Sequence, residues 1–205
     1  MKYTFLLLFL ISMIVYPCAL FADTMTSFLP DKSAVSAFDT EKNADDKPGR
    51  LGRLKNRMVQ TWEEGNLNIF VPVSIWHNRF MYDSEKIQQY NEDPRGLGIG
   101  LSIRDEDGDS HILYAMGFRD SHGMFEPFAG YGFIKNWYMD NNKDFHIGIG
   151  YTLGITARHQ YNYIPFPLPL PLFSIGYKQL AVEAAYIPGG YNDGNVLFTW
   201  LRWKF

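Results

Sequence analysis

The sequence predicts an all-β fold, an eight-stranded antiparallel transmembrane β-barrel preceded by an N-terminal amphipathic helix. Three observations predict it. The chain is 46% hydrophobic and 17% aromatic, yet its mean hydropathy is −0.20. A membrane barrel gives this mixture because each strand alternates a lipid-facing and a lumen-facing residue, and the two average out. The second observation is a long alternating segment from Phe145 to Arg158. The third is the ending on Leu201, Trp203 and Phe205, an outward stripe that closes on the last residue.

The elements follow in order. Lys2, the apolar run Phe5–Tyr16 and small residues up to Ala22 have the order of a secretory signal peptide, residues 1–22. Cys18, the only cysteine, lies inside it, so the mature chain has no thiol for a disulfide or a thiolate nucleophile. Loss of Lys2 takes the net charge from −3 to −4, and no basic excess points to nucleic acid. Residues 23–47 are polar with mixed charge and no usable period, and read as a flexible leader. Within 48–65, Leu51, Leu54, Met58 and Trp62 recur at spacings of three and four, opposite Arg50, Arg53, Lys55 and Arg57. This is an amphipathic helix suited to a membrane interface.

Residues 66–205 form the barrel, with a period of two from Leu67 onward. In the Phe145–Arg158 segment one face is Phe145, Ile147, Ile149, Tyr151, Leu153, Ile155 and Ala157. The other carries His146, Thr152, Thr156, Arg158 and the glycines Gly148, Gly150 and Gly154, which predict room in a narrow lumen. At ~3.3 Å per residue and ~45° of tilt such a strand climbs roughly 33 Å, enough to cross the apolar band. The other expected strands are Asn66–Tyr82, Leu97–Arg104, Ser110–Phe118, Met124–Asn136, Leu170–Tyr177, Leu180–Tyr186 and Asn195–Phe205. Aromatics near strand ends, among them Trp76, Trp137, Tyr161, Trp200 and Trp203, read mostly as interfacial girdles.

No phosphate loop, Gly-x-Ser-x-Gly elbow or His-Glu-x-x-His is present, and nothing calls for a metal or other cofactor. Asp105, Asp107 and Asp109 imitate the start of a calcium loop but lack its closing glutamate, and read as turn carboxylates. Among the histidines His77 stands out. Strict alternation puts it with Ile69, Val71, Val73 and Ile75 towards lipid, where an imidazole is costly. The strand must therefore end before His77 or leave regular pairing. The same argument applies where the apolar series Ile112, Tyr114, Met116, Phe118 runs into Asp120 and Ser121. Two strand ends thus deliver an imidazole, a carboxylate and a hydroxyl to one rim. A histidine acts as general base on a hydroxyl, and a carboxylate orients the imidazole, so the set suits acyl transfer. A structural barrel with polar interface residues would show the same spacing.

From about Thr61 to Phe205 the sequence resembles the lipid A palmitoyltransferases of Gram-negative outer membranes. The resemblance rests on Trp76-His77-Asn78-Arg79-Phe80, Tyr90-Asn91-Glu92-Asp93-Pro94, Leu113–Ser121, Glu126–Gly132, Thr156-Ala157-Arg158, Asn162–Pro165, Tyr186–Gly189 and Tyr191–Val196, in order. It implies an eight-stranded barrel that moves a palmitoyl chain from a glycerophospholipid donor to a lipid A acceptor in the outer membrane, with monomer as the default state. It places the essential residues on His77, Asp120 and Ser121; His77 is read as base or acid towards the lipid A hydroxyl, with the other two polarising or positioning the reacting groups, and acylation of Ser121 stays open. It places the acyl-chain ruler on Gly132, on the face shared with Phe128 and Gly130, and two lateral gates for lipid. Proline cannot donate to a ladder. By resemblance, Pro72 and Pro94, in the first two strand regions, and Pro165, with Pro167, Pro169 and Pro171 before the sixth strand, mark those gates, although by sequence alone the second cluster reads as a stiff loop. The leader, the pair His122-Gly123 and the loop between Trp137 and Lys143 depart from the family pattern. A non-enzymatic barrel, or a hydrolase passing the acyl chain to water (a phospholipase or lipid A deacylase), stays open at this point.

Overall fold

The computed structural model describes residues 49–205; the expected signal peptide and leader lie outside the described residues. Helix α1 spans Arg50–Glu64, and the strands are β1 (Asn66–His77), β2 (Leu97–Arg104), β3 (Ser110–Arg119), β4 (Phe125–Tyr138), β5 (Phe145–Thr156), β6 (Phe166–Tyr177), β7 (Leu180–Ile187) and β8 (Val196–Lys204). A short helix α2, Ser84–Ile87, lies between β1 and β2. The eight strands close in sequence order, each antiparallel to its neighbours. Among the described residues no helix is long and apolar enough to cross a membrane. The strands carry the apolar band instead: Val71, Ile147, Ile149, Leu153, Ile155, Phe173, Ile175 and Val182 are all exposed large hydrophobics on the outer face. In water such a surface is a liability, whereas in a bilayer it is the lipid contact.

The two ends differ. At the rim where β1 ends, the connections are the long segments 78–96 and 188–195, the shorter 120–124, and 157–165 with its single 3₁₀ turn. At the other end the links are short, down to Lys178-Gln179. Outer-membrane barrels place long loops outside the cell and short turns towards the periplasm.

Register agrees with the sequence reading at His77, where a break in pairing was expected, and corrects it in β3. Pro72 pairs with Trp200 but Ser74 pairs with Thr199, so Val73 is an extra residue in β1. A bulge of this kind moves every later side chain to the opposite face. Before it Asn68, Phe70 and Pro72 point inwards; after it Ile75 and His77 do. The strand has left regular pairing, and His77 is buried in the lumen rather than facing lipid. In β3 the apolar series Ile112, Tyr114, Met116 and Phe118 is the lumen face itself, part of the buried core. Asp120 therefore continues an inward face, with no break required. Trp200, read with the aromatic girdle, is buried instead, as is Tyr82.

The glycines of β5 do not leave empty space. A side chain at Gly154 would collide with the Phe128 ring, and one at Gly148 with Ile134. Their missing side chains make room for those of β4.

The wall is incomplete at the loop rim. The β1–β2 ladder runs only from Asn66↔Ser102 to Phe70↔Gly98, although β1 continues to His77. The β6–β7 ladder starts at Leu172↔Ala185, although β6 begins at Phe166. Pro167, Pro169 and Pro171 lie inside β6 rather than before it, and only Pro165 precedes the strand. Their partners in the ladder with β5 are Ile155, Leu153 and Tyr151. Since prolines donate nothing, the N–H groups that hold β5 belong to the alternate residues, and the edge facing β7 has no donors there. Pro94 sits in the loop ahead of β2, where its carbonyl accepts from the Arg119 amide at 2.6 Å.

Candidate active site

A cavity of about 270 Å³ opens at the loop rim. Tyr114, Phe128, Leu170, Phe198 and Trp200 line its depth, and His77, Asp120, Ser121 and Arg158 stand at its mouth. Below Tyr114 the lumen is closed by polar side chains. The Tyr114 hydroxyl donates to Thr152 Oγ1 at 2.9 Å, and Glu183 accepts from Trp200 Nε1 at 2.9 Å and Arg202 Nε at 2.7 Å. A deep apolar slot with charge only at its mouth suits an acyl chain whose ester stays at the polar end.

The bulge in β1 and the turn after β3 bring the predicted residues together. His77 Nε2 lies 3.1 Å from Ser121 Oγ. On the other side of the ring, Nδ1 lies 3.1 Å from Glu92 Oε1. Glu92 also accepts both arms of Arg79, at 2.8 and 2.6 Å, and the His77 amide at 3.2 Å. Burial pushes the Glu92 carboxyl up, but the hydrogen bonds from Arg79 and His77 outweigh it and hold it at about 2. An ionised carboxylate only accepts, so the proton sits on Nδ1 and the lone pair of Nε2 faces Ser121. This is the tautomer a general base needs. Tyr90 stacks on the ring at 4.6 Å and 14°, and Tyr82 meets it edge-on at 5.2 Å. The imidazole is thereby held by one stacked and one edge-on tyrosine and is 1% exposed.

Asp120 does not orient His77, as a carboxylate of the rim was expected to do; Glu92 has that place. Asp120 Oδ1 accepts the amides of His122 at 2.8 Å and Met124 at 2.9 Å, which shapes the tight turn carrying Ser121. Its Oδ2 is buried and has no hydrogen-bond partner among the described residues. The nearest basic side chains are Arg158, with Nη2 at 3.8 Å, and His122, with Nδ1 at 3.8 Å. Arg158 Nε also lies 3.1 Å from Glu126 Oε2, whose other oxygen accepts from Thr156 Oγ1 at 2.8 Å. The unpartnered Oδ2 lines the cavity mouth and is ready to accept a hydrogen bond from a bound hydroxyl or amide.

Gly132 pairs with Ile112 and Thr152, one step below the cavity. A Cβ there would lie 3.3 Å from Leu172 Cδ1 and 3.6 Å from Tyr114 Cε1. A longer side chain would therefore act on the cavity floor through those two residues. Pro72 and Pro94 flank the gap between β1 and β2, and Pro165 the gap between β6 and β7. Glu92 and Tyr90 lie in a block that carries the resemblance, but their contacts with His77 span a long loop and no local pattern announces them.

The family model described as "Antimicrobial peptide resistance and lipid A acylation protein PagP" matches residues 57–202. Relatives named lipid A acyltransferase PagP include one from Serratia proteamaculans, 49% identical over 178 residues, which cover 86% of this chain and 90% of the relative. One from Proteus mirabilis is 53% identical over 166 residues, 80% of this chain and 77% of the relative. Another, from Laribacter hongkongensis, is 50% identical over 157 residues, 77% and 75% of the two chains. With a closed barrel of eight antiparallel strands and a match over most of its length, the chain belongs to the PagP family of outer-membrane lipid A acylation proteins.

Proposed function

We propose that this chain is a lipid A acyltransferase that moves a palmitoyl chain from a glycerophospholipid to a hydroxyl of lipid A, as a monomer at the outer leaflet after removal of its signal peptide. The observation that carries the reading is the lone pair of His77 Nε2 aimed at a hydroxyl, 3.1 Å away, at the mouth of an apolar slot. Family membership supports lipid A as the acceptor.

The donor acyl chain fills the slot with its ester carbonyl at the mouth. The lipid A hydroxyl attacks the carbonyl carbon and gives its proton to His77 Nε2. Glu92, fixed by Arg79, stabilises the imidazolium that forms. Ser121 Oγ, released from the ring, donates to the carbonyl oxygen as negative charge builds there. Asp120 Oδ2 accepts from a neighbouring polar group of lipid A and holds it in line. The ester C–O bond then breaks, and the glycerol oxygen takes the proton back from Nε2. The products are acylated lipid A and a lysophospholipid, and the base returns to its starting state. Lipid enters through the two gaps in the wall, beside Pro72 and Pro94 and beside Pro165. The depth left by Gly132 sets a palmitoyl chain.

Mass spectrometry of lipid A from cells with and without the protein tests this reading. A gain of one palmitoyl group on lipid A is expected. Release of free palmitate with lipid A unchanged would mean that water is the acceptor, and no lipid change at all would leave a structural barrel.

A further inference from the structure

The short-turn end of the lumen holds a second cavity of about 60 Å³, separated from the first by the Glu183–Arg202 layer. Among its lining residues are Arg104, His146, Lys178, Arg202 and Lys204. Arg202 is neutralised by Glu183 at 2.7 Å, and Lys178 faces Asp144 only at 4.0 Å. Arg104 lies over the Tyr138 ring at 5.4 Å, and neither it nor Lys204 forms an ion pair among the described residues. His146 is 1% exposed, yet neither ring nitrogen has a partner in hydrogen-bonding geometry. The ring is fixed there by its partner in the ladder, Gly176, where any side chain would strike it.

A buried imidazole whose ring nitrogens lack hydrogen-bond partners is a costly arrangement that an anion would relieve, and exposed Arg104 and half-buried Lys204 supply positive charge beside it. The geometry points to an oxyanion site: His146, Arg104 and Lys204, with Lys178 at its edge, bind a phosphate group in the periplasmic mouth of the barrel. Two free cations favour a phosphate dianion over a monovalent anion, and an arginine fork matches its oxygens. The cavity, at about 60 Å³ against about 270 Å³ for the acyl slot, suits a compact anion better than a sugar or a chain. Exposed Tyr177 and Trp203 at this end place the mouth at the membrane interface. The phosphate is therefore either free or the headgroup of a phosphatidate reaching in from the inner leaflet. The site uses none of the acyl-transfer residues.

The test is ¹H–¹⁵N NMR of the mature protein in a phosphate-free detergent, titrated at constant ionic strength with inorganic phosphate, with a short-chain phosphatidic acid, and with chloride as control. The Gly176 amide and the His146 ring signals should shift saturably with phosphate. The double variant Arg104→Gln/Lys204→Gln should weaken that binding at least ~10-fold, while lipid A acylation stays at the parent level. Saturation by phosphatidic acid alone assigns the headgroup, and saturation by inorganic phosphate as well assigns the free anion. The proposal falls if neither saturates, if chloride gives the same shifts, or if the double variant binds as the parent does. His146→Gln, which keeps a donor at the same place, should retain weaker binding; unchanged affinity would remove His146 from the site.

Discussion

His77 Nδ1 lies 3.1 Å from Glu92, the carboxylate that Arg79 holds by both arms, and not against Asp120. The partner that fixes the tautomer of the base thus comes from the long loop after β1, whereas the hydroxyl it faces comes from the turn after β3. The first expectation follows from this pairing. Glu92→Gln, which can present its amide N–H to Nδ1 and so favour the wrong tautomer, should lower kcat by on the order of 10² while KM changes little. Equal losses in kcat/KM through KM alone would make Glu92 a binding residue instead.

His77→Ala, Asp120→Ala and Ser121→Ala should each lower acyl transfer by at least ~10². Each variant should still fold, since none of the three side chains belongs to the buried apolar cluster. Transfer assayed in detergent, beside the heat-dependent gel shift of a folded barrel, separates the two effects. Full activity in all three would remove the assignment.

Gly132→Met should shift the transferred chain below palmitoyl, because the new side chain presses on Leu172 and Tyr114 at the cavity floor. Mass spectrometry of the lipid A product reads the chain length directly. An unchanged product would mean that Tyr114 alone sets the floor.

Restoring donors at the gap should slow the enzyme. Pro169→Ala and Pro171→Ala return N–H groups to the β7-facing edge of β6, where the ladder with β7 is missing. Turnover is expected to fall and the thermal midpoint to rise. Faster turnover in the double variant would show that the open edge does not limit lipid entry.

Glu92 also gives the rim a pH limit. Its carboxyl sits at about 2 in the folded chain, below the ~4.3 of a free glutamate. A depressed carboxyl contributes stability that is fully present above the unfolded value and is lost as pH falls through the folded one. The rim around Tyr90 and His77 should therefore loosen between about pH 4 and pH 2. Tyrosine and tryptophan fluorescence should report that step in the parent and not in Glu92→Gln.

Most of the fold was legible because alternation is a local signal. The faces of β5 came out as read, from Phe145 outward to Thr156 inward. What alternation cannot carry is a change of phase. The bulge at Val73 exists because Pro72 and its neighbours pair with β8 out of step, and a partner strand more than a hundred residues away is invisible to a local period. The reading of β3 erred for a different reason. A barrel that encloses an acyl slot has an apolar lumen at that depth, so the apolar face of Tyr114 and Phe118 is the inner one. At the site, His77, Asp120 and Ser121 were named in advance chiefly by resemblance. Glu92 was missed as their partner because its link to His77 is made by the return of a loop.

The two gaps in the wall have a further consequence. At the loop rim the strands fall into two groups joined only at the far end: β2 to β6 on one side, and β7, β8 and β1 on the other. His77 ends β1 and Ser121 follows β3, so the 3.1 Å contact between them crosses this seam. The segment around Glu92 laces it, with its carbonyl accepting from Ile75 at 3.0 Å and Pro94 accepting from Arg119. If lipid enters at either gap, as proposed, it should push the halves apart and stretch the distance between base and hydroxyl. On that reading admission and chemistry are set against one another, and the barrel should have to shut behind its donor before the proton moves.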